Sequence, residues 1–151
     1  MKDIVFRNDK PENHSGYLLW QITNMRQKLL NNALKKIELT YPQFIILSGI
    51  QWLNTNTELV NQVKLIHFTK MDKSVVSSVL KSLEKRGLVI RQVDPLDTRA
   101  KTLQLSAEGL SQMKNALAIV KGIDDVFFDE SKFDIQQFNS TIIELIKENS
   151  D

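Results

Sequence analysis

Between positions 73 and 101 the chain carries small polar and cationic side chains at spacings suited to a polyanion. Lys73, Ser74, Ser77, Ser78 and Lys81 fall on one side of a helix when read at 3.6 residues per turn. Ammonium groups neutralise phosphates, and hydroxyls both donate and accept, so such a face can address a nucleic-acid backbone and base edges. Asp97, Thr98 and Arg99 follow in a turn, with Lys101 just beyond it. An arginine at a turn tip can enter the narrow, electronegative minor groove of DNA. Asp97 could hold its guanidinium by a charge-assisted pair.

Nothing comparable points to catalysis. There is no cysteine, which removes disulfides, thiolate metal sites, cysteine nucleophiles and thiol redox sensing. The two histidines are His14 and His67, and a metal site would need both to converge. His67, beside Phe68 near the end of a short helix, reads as a structural or phosphate-neighbouring residue. His14 reads as a solvated residue at the entry to the first helix. No glycine-rich phosphate loop or nucleophile motif is present. The expectation is a protein that is not an enzyme, with no metal and no cofactor.

The chain has 151 residues, 42% hydrophobic and 25% charged, ordinary values for one globular domain. A chain of this size can bury ~70% of its unfolded surface without staples. No apolar run approaches the ~20 residues that span a bilayer. The opening MKDIVFRNDK lacks the apolar core of a signal peptide, so the cytoplasm is expected. The net charge of +2 hides a polarity: residues 1–60 carry +2, residues 61–106 carry +5 and residues 107–151 carry −5. A basic block between neutral and acidic ones suggests that one segment meets a polyanion, although such blocks are also common as solvated faces.

The elements that must position these residues follow from periodicity. Residues 1–14 are unpatterned and read as a loose arm. From Ser15, a plausible N-cap, Leu18, Leu19, Ile22, Met25, Leu29, Leu30, Ala33, Leu34 and Ile37 form the stripe of one long helix. Thr40 caps a second helix that opens with Pro42 and is apolar on more than one face, hence central. Residues 57–60 suit a short strand. Asn61 caps a short helix ending near Phe68, and residues 69–71 turn.

Asp72 caps a helix over 73–86, stopped by Gly87. Its apolar face is Val75, Val76, Val79, Leu80 and Leu83. Residues 88–93 alternate as a strand, residues 94–98 turn, and Lys101–Leu105 returns. Ser106 caps a long helix with Leu110, Met113, Leu117, Val120 and Phe127 along its stripe. Ile135, Phe138, Ile142, Leu145 and Ile146 mark a last helix.

Helix, turn, helix and a two-stranded hairpin with a basic tip make a winged helix-turn-helix. The fold expectation is mainly α with a small β-hairpin wing and long helices at both chain ends. In such a lobe the second helix enters the major groove. Serines on an exposed helix face can be merely solvated, and an Asp–Arg pair in a turn is worth little by itself. Three poor helix formers in five positions beside a well-formed apolar face favour DNA contact.

The stretch MDKSVVSSVLKSLEKRGLVIRQVDPLDTRAKTLQLSAEG resembles the DNA-binding core of the MarR (multiple antibiotic resistance regulator) family. It carries a recognition helix ending in LEKRGLV.R, a wing with D.R, and an L.LS..G helix start. YPQFIILSGIQWL resembles the family's preceding helix. Ile66 stands where the family commonly has Ala, and Ser106 where it usually has Thr. The resemblance covers nearly the whole chain. It implies a transcriptional regulator, commonly a repressor, that dimerises through both chain ends, binds pseudo-palindromic operators and is often released by a small ligand.

It also implies an N-terminal arm and dimerisation helix over 1–37, a DNA-binding lobe over 38–106 and C-terminal dimerisation helices over 107–151. The large apolar residues Phe127, Phe128, Phe133, Phe138, Ile142 and Leu145 support the dimer independently, because the tail has little of its own domain to cover. The family's ligand crevice would lie near Trp20 and Trp52, although tryptophans at helix junctions commonly belong to the core. The competing reading is a winged-helix module that binds protein rather than DNA. No membrane partner is expected. The operator, the regulated genes, the effector and whether binding represses or activates are not legible in these residues.

Overall fold

The computed structural model describes residues 10–56 and 59–150. Its helices are α1 (Ser15–Leu34), α2 (Tyr41–Asn56), α3 (Gln62–Thr69), α4 (Lys73–Lys85), α5 (Ala107–Phe127) and α6 (Ile135–Glu148). A hairpin of β1 (Val89–Val93) and β2 (Lys101–Leu105) lies between α4 and α5. The strands are antiparallel, in a register that pairs Val89 with Leu105 and Val93 with Lys101.

The core gathers one face from each of α1 to α5 and the root of the hairpin. Leu30, Leu34, Ile46, Leu47, Ile50, Leu65, Leu80, Leu83, Leu88 and Leu103 are almost completely buried. α2 is central as its two-sided apolar pattern predicts, burying Phe44, Ile46, Leu47, Gly49, Ile50 and Leu53. α6 is the opposite case: none of its residues is buried.

Local chemistry sets the boundaries. Thr40 and Gln43 form a reciprocal capping box, Thr40 Oγ1 accepting from Gln43 N and Gln43 Oε1 accepting from Thr40 N. Asn61 and Ser106 accept from the backbone N–H three residues on, at 2.9 Å each. Gly87 takes φ +71°, the left-handed conformation that ends α4. Gly109 is required for space: a Cβ there would run into the carbonyl oxygen of Leu88.

Several expectations need correction. Ser15 is the first helical residue, not the cap; His14 occupies that position. Asp72 stands at the N-cap of α4, but its side chain accepts no capping bond. The first helix ends at Leu34 and tightens into a 3-10 turn over Lys35–Ile37, closed by Glu38 in the left-handed region. Leu59 and Val60 form no strand, and residues 57–58 lie outside the described residues. Val60 nevertheless touches the hairpin, its carbonyl accepting from Leu103 N at 2.8 Å. Of the predicted N-terminal arm, residues 1–9 lie outside the described residues, and Pro11–Asn13 forms a 3-10 turn.

Candidate nucleic-acid interface

α3, the turn at residues 70–72 and α4 form the helix-turn-helix. Lys70 turns the chain in the left-handed conformation, φ +57°. α4 buries Val76, Leu80 and Leu83 against the core. Lys73, Ser74, Ser78 and Lys81 are exposed, and Lys85 extends the same arc by one turn. Ser77 is only half-buried, on the flank of the arc rather than at its centre. Val75, expected on the apolar face, is 41% exposed and belongs to the opposite flank. The reason is angular: Val75 lies about a quarter-turn from Val76 at 100° per residue, too far round to share its burial.

The wing tip is a sequence of small turns. Asp94 Oδ1 accepts from Leu96 N at 2.8 Å, and Asp97 Oδ1 accepts from Arg99 N at 3.0 Å. Asp97 Oδ1 also meets Arg99 Nε, at 3.3 Å, with the arginine side chain 91% exposed. Asp97 therefore shapes the turn more than it clamps the guanidinium, since an exposed pair of this kind is weak. Lys101 is exposed where the hairpin begins its return.

The structure also reveals cations that composition alone counts wrongly. Arg86 donates to the carbonyl of Glu38 at 2.7 Å and reaches Gln43 Oε1 at 3.5 Å. Gln43 in turn donates to Ser82 Oγ at 3.1 Å, so the start of α2 is tied to the end of α4. Arg91 is engaged by Glu84. Lys64 donates to the carbonyl of Leu59 at 2.6 Å, so it joins Arg86 and Arg91 among the cations of residues 61–106 with partners within the lobe. The sequence held a signal for Arg91: strand alternation puts it on the face of buried Val89.

At the chain ends, Phe127 and Phe128 make an edge-to-face pair with centroids 5.0 Å apart, and Phe128 lies 5.9 Å from Phe138. Phe133, Phe138 and Leu145 are exposed and Ile142 is half-buried. An apolar groove of about 710 Å³ runs between α1 and α6, with Leu18, Ile22 and Met25 on one side and Phe138, Ile142 and Leu145 on the other.

Neither tryptophan is core: Trp20 is 63% exposed and stacks on Tyr17, and Trp52 is 53% exposed and stacks on Phe68. A second groove, about 630 Å³, opens between α1, α3 and α6, lined by residues including Leu19, Ile66, His67, Lys70 and Ile142 but by neither tryptophan. Among the described residues no group of His, Asp and Glu side chains could hold a metal ion, and no helix is long and apolar enough to cross a membrane.

An outward polar helix, a hairpin wing and long flanking helices define a winged helix-turn-helix protein. The comparisons narrow the class. The MarR family profile matches residues 37–100. An uncharacterized HTH-type transcriptional regulator of Bacillus subtilis, YdcH, is 35% identical over 137 residues, 91% of this chain and 92% of its own length. CouR of Rhodococcus jostii RHA1, solved bound to p-coumaroyl-CoA, superposes with TM-score 0.77 at 25% identity, covering 91% of this chain and 93% of that one. A mutant MarR of E. coli, solved with operator DNA, shares the fold with TM-score 0.74 at 20% identity, covering 97% and 99%. The chain belongs to the MarR family of transcriptional regulators.

Proposed function

We propose that this regulator acts as a homodimer on a pseudo-palindromic DNA operator, with α4 in the major groove and Arg99 of the wing in the minor groove. The observation that carries this reading is the outward arc of α4. Lys73, Ser74, Ser78 and Lys81 stand exposed along it, with half-buried Ser77 on its flank. Residues 1–37 and 107–151 would supply the dimer and residues 38–106 the reading lobe, working as a repressor in the cytoplasm.

An effector fits the same scheme. The relative CouR binds p-coumaroyl-CoA and a MarR neighbour binds operator DNA, which supports a small organic ligand as the signal and DNA as its target. Such a ligand would occupy the crevice between the end helices and the lobe, in the region of Trp20 and Trp52, and would tilt one reading lobe against the dimer.

The test is DNA binding by fluorescence anisotropy on duplexes that the protein selects from its source genome. Binding should fall steeply with salt as phosphate contacts are screened. Arg99→Ala should weaken it by ~1–3 kcal/mol while the fold is kept. Unchanged affinity for that variant would remove the minor-groove role. Salt-independent or absent DNA binding would return the lobe to the competing reading, a protein-interaction module.

A further inference from the structure

We propose that Glu84 and Arg91 are positioning residues that lock the wing to the recognition helix, so that α4 and the hairpin tip meet DNA as one rigid reader. The proposal rests on the DNA-reading function above and adds to it the device that sets the angle between the two reading elements.

A two-stranded hairpin has little stability of its own and takes its direction from what holds its root. Here the root is well held. Val89 and Leu103 are buried, Leu103 N donates to Val60 O, and Asn54 Nδ2 donates to Leu103 O at 3.1 Å. Beyond that pair the inward face of β1 runs from buried Val89 through half-buried Arg91 to exposed Val93. Arg91, paired in register with Leu103, is thus the last residue of β1 with a partner in the body of the lobe.

That partner is on α4. Arg91 Nε donates to Glu84 Oε1 at 2.8 Å and its terminal nitrogen to Glu84 Oε2 at 3.3 Å. The third guanidinium nitrogen reaches Gln62 Oε1, in the first turn of α3, at 3.5 Å. The two side chains of the pair are 28% and 26% exposed. A flexible exposed pair would fix nothing. A half-covered, two-pronged guanidinium–carboxylate pair fixes both distance and orientation.

Its place in the chain is what gives it a function. Glu84 follows Lys81 by one helical turn, and Arg91 stands just before the exposed tip that ends in Arg99. The ion pair therefore separates the two DNA-facing stretches and sets how one is inclined to the other. Without it the tip would swing about its buried root, and Arg99 would find the minor groove only at an entropic cost.

The experiment is a double-mutant cycle on the full chain. The probe is the duplex that wild-type protein recovers from a randomised library long enough for two half-sites. Arg99→Ala should weaken the wild type about tenfold. In a Glu84→Gln background the same change should weaken binding less than about threefold, because the tip is already misdirected. Arg91→Lys keeps the charge but loses the fork, so it should behave like Glu84→Gln and serve in its place if that variant fails to fold by circular dichroism.

An undiminished Arg99→Ala effect in both backgrounds would make the pair merely structural and overturn the proposal. A silent Arg99→Ala in wild type would overturn it together with the minor-groove contact. If wild-type protein recovers no salt-sensitive duplex at all, the DNA-reading function itself has failed, an outcome distinguishable from the other two.

Discussion

Arg26 on α1 and Asp124 on α5, 98 positions apart in the chain, meet through two hydrogen bonds of 2.8 Å, Nε to Oδ1 and the terminal nitrogen to Oδ2. The same guanidinium donates to Tyr41 Oη at 3.0 Å and lies 5.1 Å from the Tyr41 ring and 5.9 Å from that of Phe128. One cation thus joins the first, second and fifth helices.

Asp124→Asn should therefore lower unfolding stability by about 1.5–3 kcal/mol, the range for hydrogen bonds to charged groups. Arg26→Lys should lose a similar amount, since an ammonium cannot serve two carboxylate oxygens and a phenol in one plane. The hydrogen bond to Asp124 raises the pKa of Arg26, outweighing the opposing effect of burial. A raised cation pKa gives stability that is present below the unfolded value and lost only as pH rises through the folded one. For arginine that window is strongly alkaline, so urea midpoints should show the same loss at pH 6 and pH 9. A loss that vanished at pH 9 would contradict the assignment.

Gly109 and Gly122 share α5 but should respond oppositely to alanine. A Cβ at Gly109 meets backbone, the Leu88 carbonyl, which cannot step aside without moving the hairpin root. Gly109→Ala should cost several kcal/mol, roughly the scale of strained overpacking or more. Gly122 is exposed with nothing within 4 Å of a new Cβ, so Gly122→Ala should stabilise by about 0.5–1 kcal/mol through helix propensity. Thermal melts of the two single variants decide it.

What the sequence revealed and what it hid divide along the range of the interactions. Thr40, Asn61, Ser106 and Gly87 were legible because caps and left-handed stops are set within a few residues. The two strands of the hairpin followed from their alternation and the turn residues between them. Val75 was misread because a 3.6-residue stripe has blurred edges, and an apolar residue on the flank looks like core. Arg86 and Arg91 were counted toward an external anion because their partners, Glu38 and Gln43 for one and Glu84 for the other, are recognised only once the helices are packed. The tryptophans went the same way: each stacks on one neighbour and leaves its other side open.

The recognition helix should separate stability from reading residue by residue. Leu80, fully buried, should cost about 2–5 kcal/mol as alanine, whereas Val75→Ala should stay within about 0.5 kcal/mol of wild type. Lys73→Ala and Lys81→Ala should leave the melt unchanged and flatten the salt slope by about one unit per lost contact, doubled in a dimer. Ser78, exposed on the arc, should alter operator preference more than half-buried Ser77 does. A Ser77→Ala, Ser78→Ala double variant that selected the wild-type motif at every position would remove base reading by these serines.

α6 buries no residue in its own chain yet carries Phe138, Ile143, Leu145 and Ile146 about half exposed. Across the groove α1 offers Leu18, Leu19, Ile22 and Met25, also exposed. Two such surfaces on one chain form a patch that calls for a partner, and a second copy supplies the same shapes. A two-fold pair would hold its recognition helices about one helical turn of DNA apart, ~34–36 Å. Leu145→Asp places a charge in that seam, at a cost of several kcal/mol once it is buried without a partner. Because the lobe's core is built from α1 to α5 and the hairpin, the variant should stay folded, run as a monomer in light scattering, and lose tight operator binding with every DNA-facing residue intact. A folded monomer that bound the full palindrome with wild-type affinity would show that the chain ends do not set the spacing.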